Sequence, residues 1–204
     1  KTQKNSALNK NIEKTFKSRK IWCAISTHNG EEKICAEAHQ KLKKKYKKLL
    51  TVIIPRHVHR VNDIHKEILD MGFKVQIHSK KSKIKKDTDI YLVDTYGETK
   101  SFFKICNTVF LGGSIVNHGG QNPLEPARFG CKILHGPYVQ NFSEVYKLLK
   151  SNNLSYKFNN IDQLINLINQ SFIKKTNFAN KINKLKKIGS SILDKTLSEI
   201  NCYL

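Results

Sequence analysis

Short apolar runs alternating with amphipathic segments constrain the fold of this chain more than any other feature of its sequence. Between the runs, apolar residues recur at helical spacing with lysines on the opposite face. Nearly continuous apolar strands that alternate with helices predict the α/β class, with a Rossmann-like, doubly wound parallel sheet covered on both faces. The predicted strands are residues 21–26, 49–54, 73–77, 89–93, 108–111 and 131–135.

The domain boundaries follow from where this alternation starts and stops. Residues 1–20 are polar and show little periodicity, so we expect a linker or lead-in there. Residues 21–172 are expected to form the Rossmann-like domain, and residues 173–204 a C-terminal helical segment that includes Ile182, Leu185 and Ile188. No apolar run is long enough to span a bilayer, and the first residues lack the pattern of a signal peptide.

The charge balance points to anionic partners. The 37 basic and 16 acidic residues give a formal net charge of +21, which favours nucleic acid, anionic lipid or a phosphorylated substrate. The lysines cluster at 41–48 and 80–86, which indicates either a solvated face or a surface that binds an anionic membrane. These two lysine runs contain only one aromatic residue, Tyr46, so nucleic acid is not an expected partner.

Cysteine and histidine spacing gives no sign of a metal or a cofactor. The five cysteines include no Cys-x-x-Cys pair, so neither a zinc site nor a disulfide framework is expected. We interpret Cys23, Cys35, Cys106 and Cys131 as small apolar core residues with free thiols, as in a reducing cytoplasm. The histidines likewise lack metal-ligand spacing.

The loops that follow the predicted strands are the expected ligand site, because open parallel sheets bind ligands at the carboxyl ends of their strands. Arg56 and His57 follow the second strand directly after Pro55, and an arginine there could pair with a phosphate. After the fourth strand, Gly97 would let a ligand approach the backbone, and Glu98 is placed to open a helix.

The densest group of unusual residues lies at 112–127. Four glycines precede a helix start, with Asn122 predicted as the N-cap and Pro123 at the first helical position. Glu125, one turn into that helix, could accept hydrogen bonds from ribose hydroxyls. Because the chain has no Gly-x-Gly-x-x-Gly and no Walker lysine motif, a dinucleotide oxidoreductase or an NTPase is not favoured.

Six segments together resemble the 3-deoxy-D-manno-octulosonic acid (Kdo) transferases, and the likeness runs from about residue 22 to residue 149. The segments occur in the same order in that family. They are Ser26-Thr27-His28-Asn29-Gly30-Glu31-Glu32, Pro55-Arg56-His57, Asp94-Thr95-Tyr96-Gly97-Glu98, Gly112-Gly113-Ser114, Gly119-Gly120-Gln121-Asn122-Pro123-Leu124-Glu125-Pro126-Ala127 and His135-Gly136-Pro137.

The resemblance implies the C-terminal, CMP-binding domain of a GT-B glycosyltransferase with two Rossmann-like domains. Such an enzyme would transfer Kdo from CMP-Kdo to a lipid A precursor at the cytoplasmic face of the inner membrane. The family's catalytic base is a glutamate of the N-terminal domain, so no catalytic residue, metal or cofactor is expected here, and the isolated chain should bind CMP without turnover. The residues that would line the CMP site are Pro55, Arg56, Tyr96, Gly97, Glu98, Asn122, Pro123, Leu124 and Glu125.

Three alternatives remain open on the sequence. The chain could be a GT-B domain for a different nucleotide sugar, since the phosphate-binding features do not specify the base. It could be a non-catalytic nucleotide sensor. The third alternative, a nucleic-acid-binding module, rests on the net charge alone.

Overall fold

Seven parallel strands form one sheet at the centre of the molecule. The computed structural model describes residues 10–79 and 83–173, and beyond them positions 183, 186, 187, 189 and 190 as helical. The strand order is β3-β4-β2-β1-β5-β6-β7, and every pair is parallel. The strands are β1 (Lys20–Thr27), β2 (Leu49–Pro55), β3 (Val75–Ile77), β4 (Ile90–Leu92), β5 (Thr108–Leu111), β6 (Lys132–His135) and β7 (Ser155–Lys157).

Helices cover both faces of this sheet, which confirms the predicted doubly wound α/β fold. One face packs against α1, α4, α5 and α6, and the other against α2, α3 and α7. A hydrophobic core lies on each face of the sheet, and alternate residues of β1 contribute to each. Cys23 and Ile25 pack into one core, while Trp22 and Ala24 pack into the other. The helices are α1 (Lys10–Lys17), α2 (Glu31–Lys43), α3 (Val61–Asp70), α4 (Thr99–Phe103), α5 (Leu124–Arg128), α6 (Ser143–Ser151) and α7 (Ile161–Ile173).

The six predicted strands are all present, and a seventh lies at the edge of the sheet. Strand β7 pairs with β6 and has the sequence Ser-Tyr-Lys. It escapes prediction because it is short and polar, and its pairing with β6 is a long-range contact that no local pattern reveals.

The N-terminal lead-in predicted for residues 1–20 is wrong over residues 10–17, which form α1. Ile12 and Phe16 of this helix are buried in the core, where the Phe16 ring lies 6.0 Å from the Tyr91 ring and 6.2 Å from the Phe102 ring. Two apolar side chains one turn apart are too few to show a helical period in the sequence, but they suffice to fix one turn against the sheet.

Most of the predicted C-terminal helical segment lies outside the described residues. Helix α7 ends at Ile173, and Ile182, Leu185 and Ile188 are among the residues about which the structure makes no statement. None of the helices in the described part of the chain is long and apolar enough to cross a membrane.

The four cysteines predicted to be core residues are buried, but two of them are paired rather than free. Cys23 of β1 and Cys106, just before β5, form a disulfide in the structure, with Cα atoms 6.2 Å apart. Because β1 and β5 are neighbours in the sheet, residues 83 positions apart in sequence reach disulfide distance. Cys35 and Cys131 are buried core residues, as interpreted from the sequence.

Candidate functional site

The candidate site lies at the carboxyl ends of β1 and β5, in the middle of the sheet. The chain winds from β1 toward β2, β4 and β3 on one side and toward β6 and β7 on the other. The loops after β1 and β5 therefore diverge and leave a crevice between them, the usual ligand position in doubly wound folds. Residues 28–30 and 112–122 form these two loops.

A single buried carboxylate holds the two loops together. The side chain of Glu31, at the first position of α2, is fully buried. Its Oε2 accepts the backbone N–H groups of His28 (2.9 Å) and Gly113 (2.8 Å). Its Oε1 accepts those of Ser114 (3.1 Å) and Ile115 (2.9 Å). Four backbone donors compensate the desolvation of this charge, so Glu31 fixes the shape of the crevice rather than reacting with a ligand.

Glycines allow the loop backbones to approach one another closely. A Cβ atom on Gly112 would lie 2.3 Å from the carbonyl oxygen of Ser26, and one on Gly136 would lie 2.2 Å from that of Ser114. Ser26 itself has a φ of 56°, a left-handed conformation that is uncommon for a non-glycine residue. The ends of β1, β5 and β6 are therefore packed too tightly for any side chain at these glycines.

Ser114 connects the loop after β5 to the loop after β6. Its hydroxyl donates to the carbonyl oxygen of Leu111 (2.6 Å) and accepts the backbone N–H of Gly136 (2.9 Å). Its own carbonyl oxygen accepts the N–H of Tyr138 (2.9 Å). Together with Glu31, this residue makes the floor of the crevice a continuous hydrogen-bonded unit.

The structure places the loop after β2, which contains Arg56, beside the loop after β4, which contains Tyr96. Pro55 is buried at the end of β2, and the N–H of Arg56 donates to the Thr27 carbonyl oxygen (3.0 Å), which leaves the exposed Arg56 side chain at the rim. The N–H of Val58 donates to the phenolic oxygen of Tyr96 at 3.4 Å. The Tyr96 ring is otherwise 73% exposed, so it stands beside the crevice as an uncovered apolar surface.

The Glu98 side chain has two side-chain partners, in addition to its position before α4. Its carboxylate accepts the Thr95 hydroxyl and lies 2.6 Å from Nε2 of His78. Gly97 has a φ of +83°, which explains a glycine at this turn. Glu98 is thus oriented by two neighbours at the end of β4, although its role toward a ligand stays a prediction.

The predicted residues 122–125 lie at the start of α5, next to the segment that follows β4. The Asn122 side chain accepts the N–H of Leu124 at 3.0 Å, which is the capping bond predicted for it, although the helix starts one residue later than expected. Pro123 is buried beneath the turn. Glu125 is half-exposed, and its Oε1 lies 3.8 Å from Nζ of Lys100 on α4. The segments after β2, β4 and β5 therefore surround one crevice.

Histidines from three loops meet at this crevice. The rings of His28 and His118 are parallel within 24° with centroids 4.2 Å apart, and the His57 ring stands edge-on to His28 at 5.9 Å. Burial, followed by the nearby His118, His57, Arg60 and Arg56, lowers the pKa of His28 to about 4. His28 is therefore neutral at pH 7.

Sequence reasoning missed both Glu31 and the histidine cluster. In the sequence, Glu31 stands out only as part of a segment that resembles the Kdo transferases, and the histidines show no metal-ligand spacing. The sequence does contain one signal for the role of Glu31. This glutamate follows the turn after one strand, and Gly112-Gly113-Ser114 follow another, so its carboxylate could accept hydrogen bonds from the N–H groups of that glycine loop. Nothing local indicates that His28, His57 and His118 meet. In the described residues, no group of three or more potential metal ligands is placed to hold a metal ion.

Comparison with known proteins identifies the relatives of this chain. No protein-family model matches it. A 3-deoxy-D-manno-octulosonic acid transferase of Haemophilus influenzae is 37% identical over 131 residues, 64% of this chain, and that of Aquifex aeolicus is 30% identical over 142 residues, 70% of this chain. The Rickettsia typhi transferase is 29% identical over 193 residues, 92% of this chain. The chain is thus similar in sequence to Kdo transferases over most of its own length.

The fold also matches a solved structure. It is described as the C-terminal CMP-Kdo binding domain of WaaA from Acinetobacter baumannii, with a TM-score of 0.78 and 22% identity. The match covers 85% of this chain and 90% of that domain, so the two share one fold over nearly their whole length. The chain spans 31%, 39% and 41% of the three curated Kdo transferases above.

We predict that Glu31→Gln lowers the free energy of unfolding by about 2–4 kcal/mol. Each carboxylate oxygen accepts two backbone N–H groups, so an amide nitrogen in place of either would face two donors. Urea denaturation followed by circular dichroism measures the change. Glu37→Gln, a half-buried residue on the same helix, is the matched control and should shift stability by less than about 0.5 kcal/mol. Equal effects of the two substitutions would contradict the role assigned to Glu31.

We also predict that stability falls as the pH drops from about 6.5 to about 4. Burial lowers the pKa of His135 to about 4 despite its hydrogen bond to the Gly136 carbonyl, as it does that of His28. In the unfolded chain a histidine titrates near about 6.5, so the unfolded state binds more protons across this window. Urea titrations at several pH values should show this slope, and His135→Gln should make it shallower. Stability that is independent of pH here would refute the assignment.

Proposed function

We propose that this chain is the donor-binding domain of a Kdo transferase and that it binds CMP-Kdo in the crevice above β1 and β5. The observation that supports this most is the convergence of the segments after β2, β4 and β5 around one crevice, in a chain similar in sequence to Kdo transferases. The match to a domain described as CMP-Kdo binding agrees with this function.

Arg56 and Glu125 have the most specific roles in the proposed site. The backbone of Arg56 is fixed against Thr27, which leaves its exposed guanidinium to pair with the donor phosphate. The carboxylate of Glu125, only loosely paired with Lys100, accepts hydrogen bonds from the ribose hydroxyls. The other predicted residues shape the nucleotide pocket around them. These are Pro55, Tyr96, Gly97, Glu98, Asn122, Pro123 and Leu124.

Transfer from CMP-Kdo breaks the bond between the sugar's anomeric carbon and a phosphate oxygen. Negative charge then develops on the departing CMP, and a guanidinium held at that phosphate stabilises the leaving group more as the bond breaks. In the proposed enzyme, a second domain supplies the catalytic base and holds the lipid A precursor, and closure of the two domains brings donor and acceptor together. This chain by itself would bind and orient the donor.

We predict that Arg56→Ala and Glu125→Ala each weaken CMP binding by about 1–3 kcal/mol, the range for hydrogen bonds to charged groups. Isothermal titration calorimetry with CMP, UDP and GDP measures both affinity and base preference. Arg128→Ala is the matched control, since this exposed arginine lies at the end of the same helix as Glu125. Tighter binding of UDP or GDP than of CMP would favour a different nucleotide sugar, and unchanged affinity in both variants would refute the placement of the site.

We further propose that the opposite, amino-terminal edge of the sheet contacts the anionic inner membrane at its cytoplasmic face. A cavity of about 490 Å³ there is lined, among the residues that the structure describes, by five basic residues and no acidic one. The nearby carboxylates of Asp87 and Asp89 are engaged by Lys74 and Lys43, respectively. The lining residues are Lys14, Thr15, Ser18, Arg19, Lys48, Lys83, Ile84 and Lys86.

Replacing the four lysines of this cavity by glutamine should reduce binding to anionic vesicles by at least about tenfold, because each lysine near such a surface contributes on the order of 1 kcal/mol. Cosedimentation with phosphatidylglycerol-containing and pure phosphatidylcholine vesicles measures the effect. A control variant with the same change in net charge replaces Lys33, Lys66, Lys147 and Lys150. Equal losses in the two variants would show that only net charge matters and would contradict a specific membrane-facing edge.

A further inference from the structure

The histidine cluster is short of negative charge, although two glutamates lie beside it. The Glu31 carboxylate is taken up by four backbone N–H groups. The Glu32 carboxylate is paired with Arg60, whose Nη1 lies 3.0 Å from Oε1. Neither glutamate is therefore available to the imidazoles, which face one another together with the exposed Arg56.

One imidazole nitrogen in the cluster is buried without a hydrogen bond. Nε2 of His28 has no partner within residues 10–79 and 83–173, and Cδ2 and Nε2 of this ring would lie 3.2 Å from a Cβ atom on Gly113. The exposed His118 ring lies over His28, and the backbone carbonyl of His118 is held by the Asn141 side chain at 3.3 Å. Buried polar atoms are rarely left unpaired, so an unpaired nitrogen among cationic neighbours is suited to an anionic ligand oxygen.

We infer that His28, His57 and His118 form the subsite for the carboxylate of the donor's acid sugar, beside the phosphate at Arg56; this inference rests on the proposed binding of CMP-Kdo. An ulosonic acid linked through its anomeric carbon bears its carboxylate on that same carbon. The carboxylate therefore lies next to the phosphate, as the histidines lie next to Arg56. A small displacement of the exposed His118 ring opens Nε2 of His28 to a carboxylate oxygen.

The subsite also gives a reason for selecting an acid sugar. A neutral sugar would leave Nε2 of His28 without a charged hydrogen-bond partner, whereas a carboxylate oxygen can pair with this nitrogen and is also attracted by the nearby Arg56 guanidinium. Bound there, the carboxylate also favours the protonated form of the imidazoles around it. The rigid floor formed by Glu31 and Ser114 keeps the histidine loops in position for this contact.

The test compares freshly prepared CMP-Kdo with CMP on the full chain by calorimetry. His118→Gln, at an exposed position, and His28→Asn should each weaken binding of CMP-Kdo about tenfold, as expected for loss of a charge-assisted hydrogen bond. Their affinity for CMP should change by less than about twofold. His65→Asn, on α3 and outside the crevice, is the control and should alter neither affinity. Thermal melting of every variant establishes that it is folded.

The other possible results distinguish failure of the carboxylate subsite from failure of the proposed function. Equal loss of CMP and CMP-Kdo binding would place the phosphate, not the carboxylate, at the histidines. Unchanged affinity for CMP-Kdo in the folded His118→Gln variant, with wild-type binding intact, would overturn the subsite alone. A wild-type chain that binds neither ligand would overturn the proposed function and this inference with it.

Discussion

The buried carboxylate of Glu31 is the interaction on which the site depends. It accepts N–H groups from both loops that flank the centre of the sheet, one after β1 and one after β5. A parallel sheet by itself only opens a crevice at this point, because successive helices pass to opposite sides. Glu31 determines the width and shape of that crevice, and through the loop that includes Gly113 it also determines where His28 and His118 meet.

The two edges of the sheet differ in chemistry. This difference agrees with the proposal that the carboxyl edge binds the donor and the amino edge contacts the membrane. At the carboxyl edge the loops are rich in glycine, the backbones touch, and the charged side chains are few and individually placed. At the amino edge the basic cavity is lined by flexible lysines with an isoleucine among them. Individually placed groups suit recognition of one nucleotide sugar, whereas mobile lysines suit a diffuse anionic surface.

Much of the fold could be predicted because β-strands buried on both faces are mostly apolar, as 49–54 and 108–111 are apart from Thr51 and Thr108. Strand β7 and helix α1 could not, since each depends on a surface supplied by distant residues: β6 for the first, and Tyr91 with Phe102 for the second. For the candidate site, the loops were predicted from strand ends and the capping role of Asn122 from its position before a helix. The links from Val58 to Tyr96 and from Lys100 to Glu125 join residues that are far apart in sequence.

By itself, the sequence determined the class of fold, the edge of the sheet where a ligand binds, and a resemblance to the Kdo transferases, because strand periodicity and motif order are local properties. Only the tertiary structure decided that Cys23 and Cys106 are paired, that Glu31 is a buried acceptor for two loops, and that three histidines share one site. Each of these depends on strand order in the sheet. Placing β1 between β2 and β5 brings together residues that the sequence keeps dozens of positions apart.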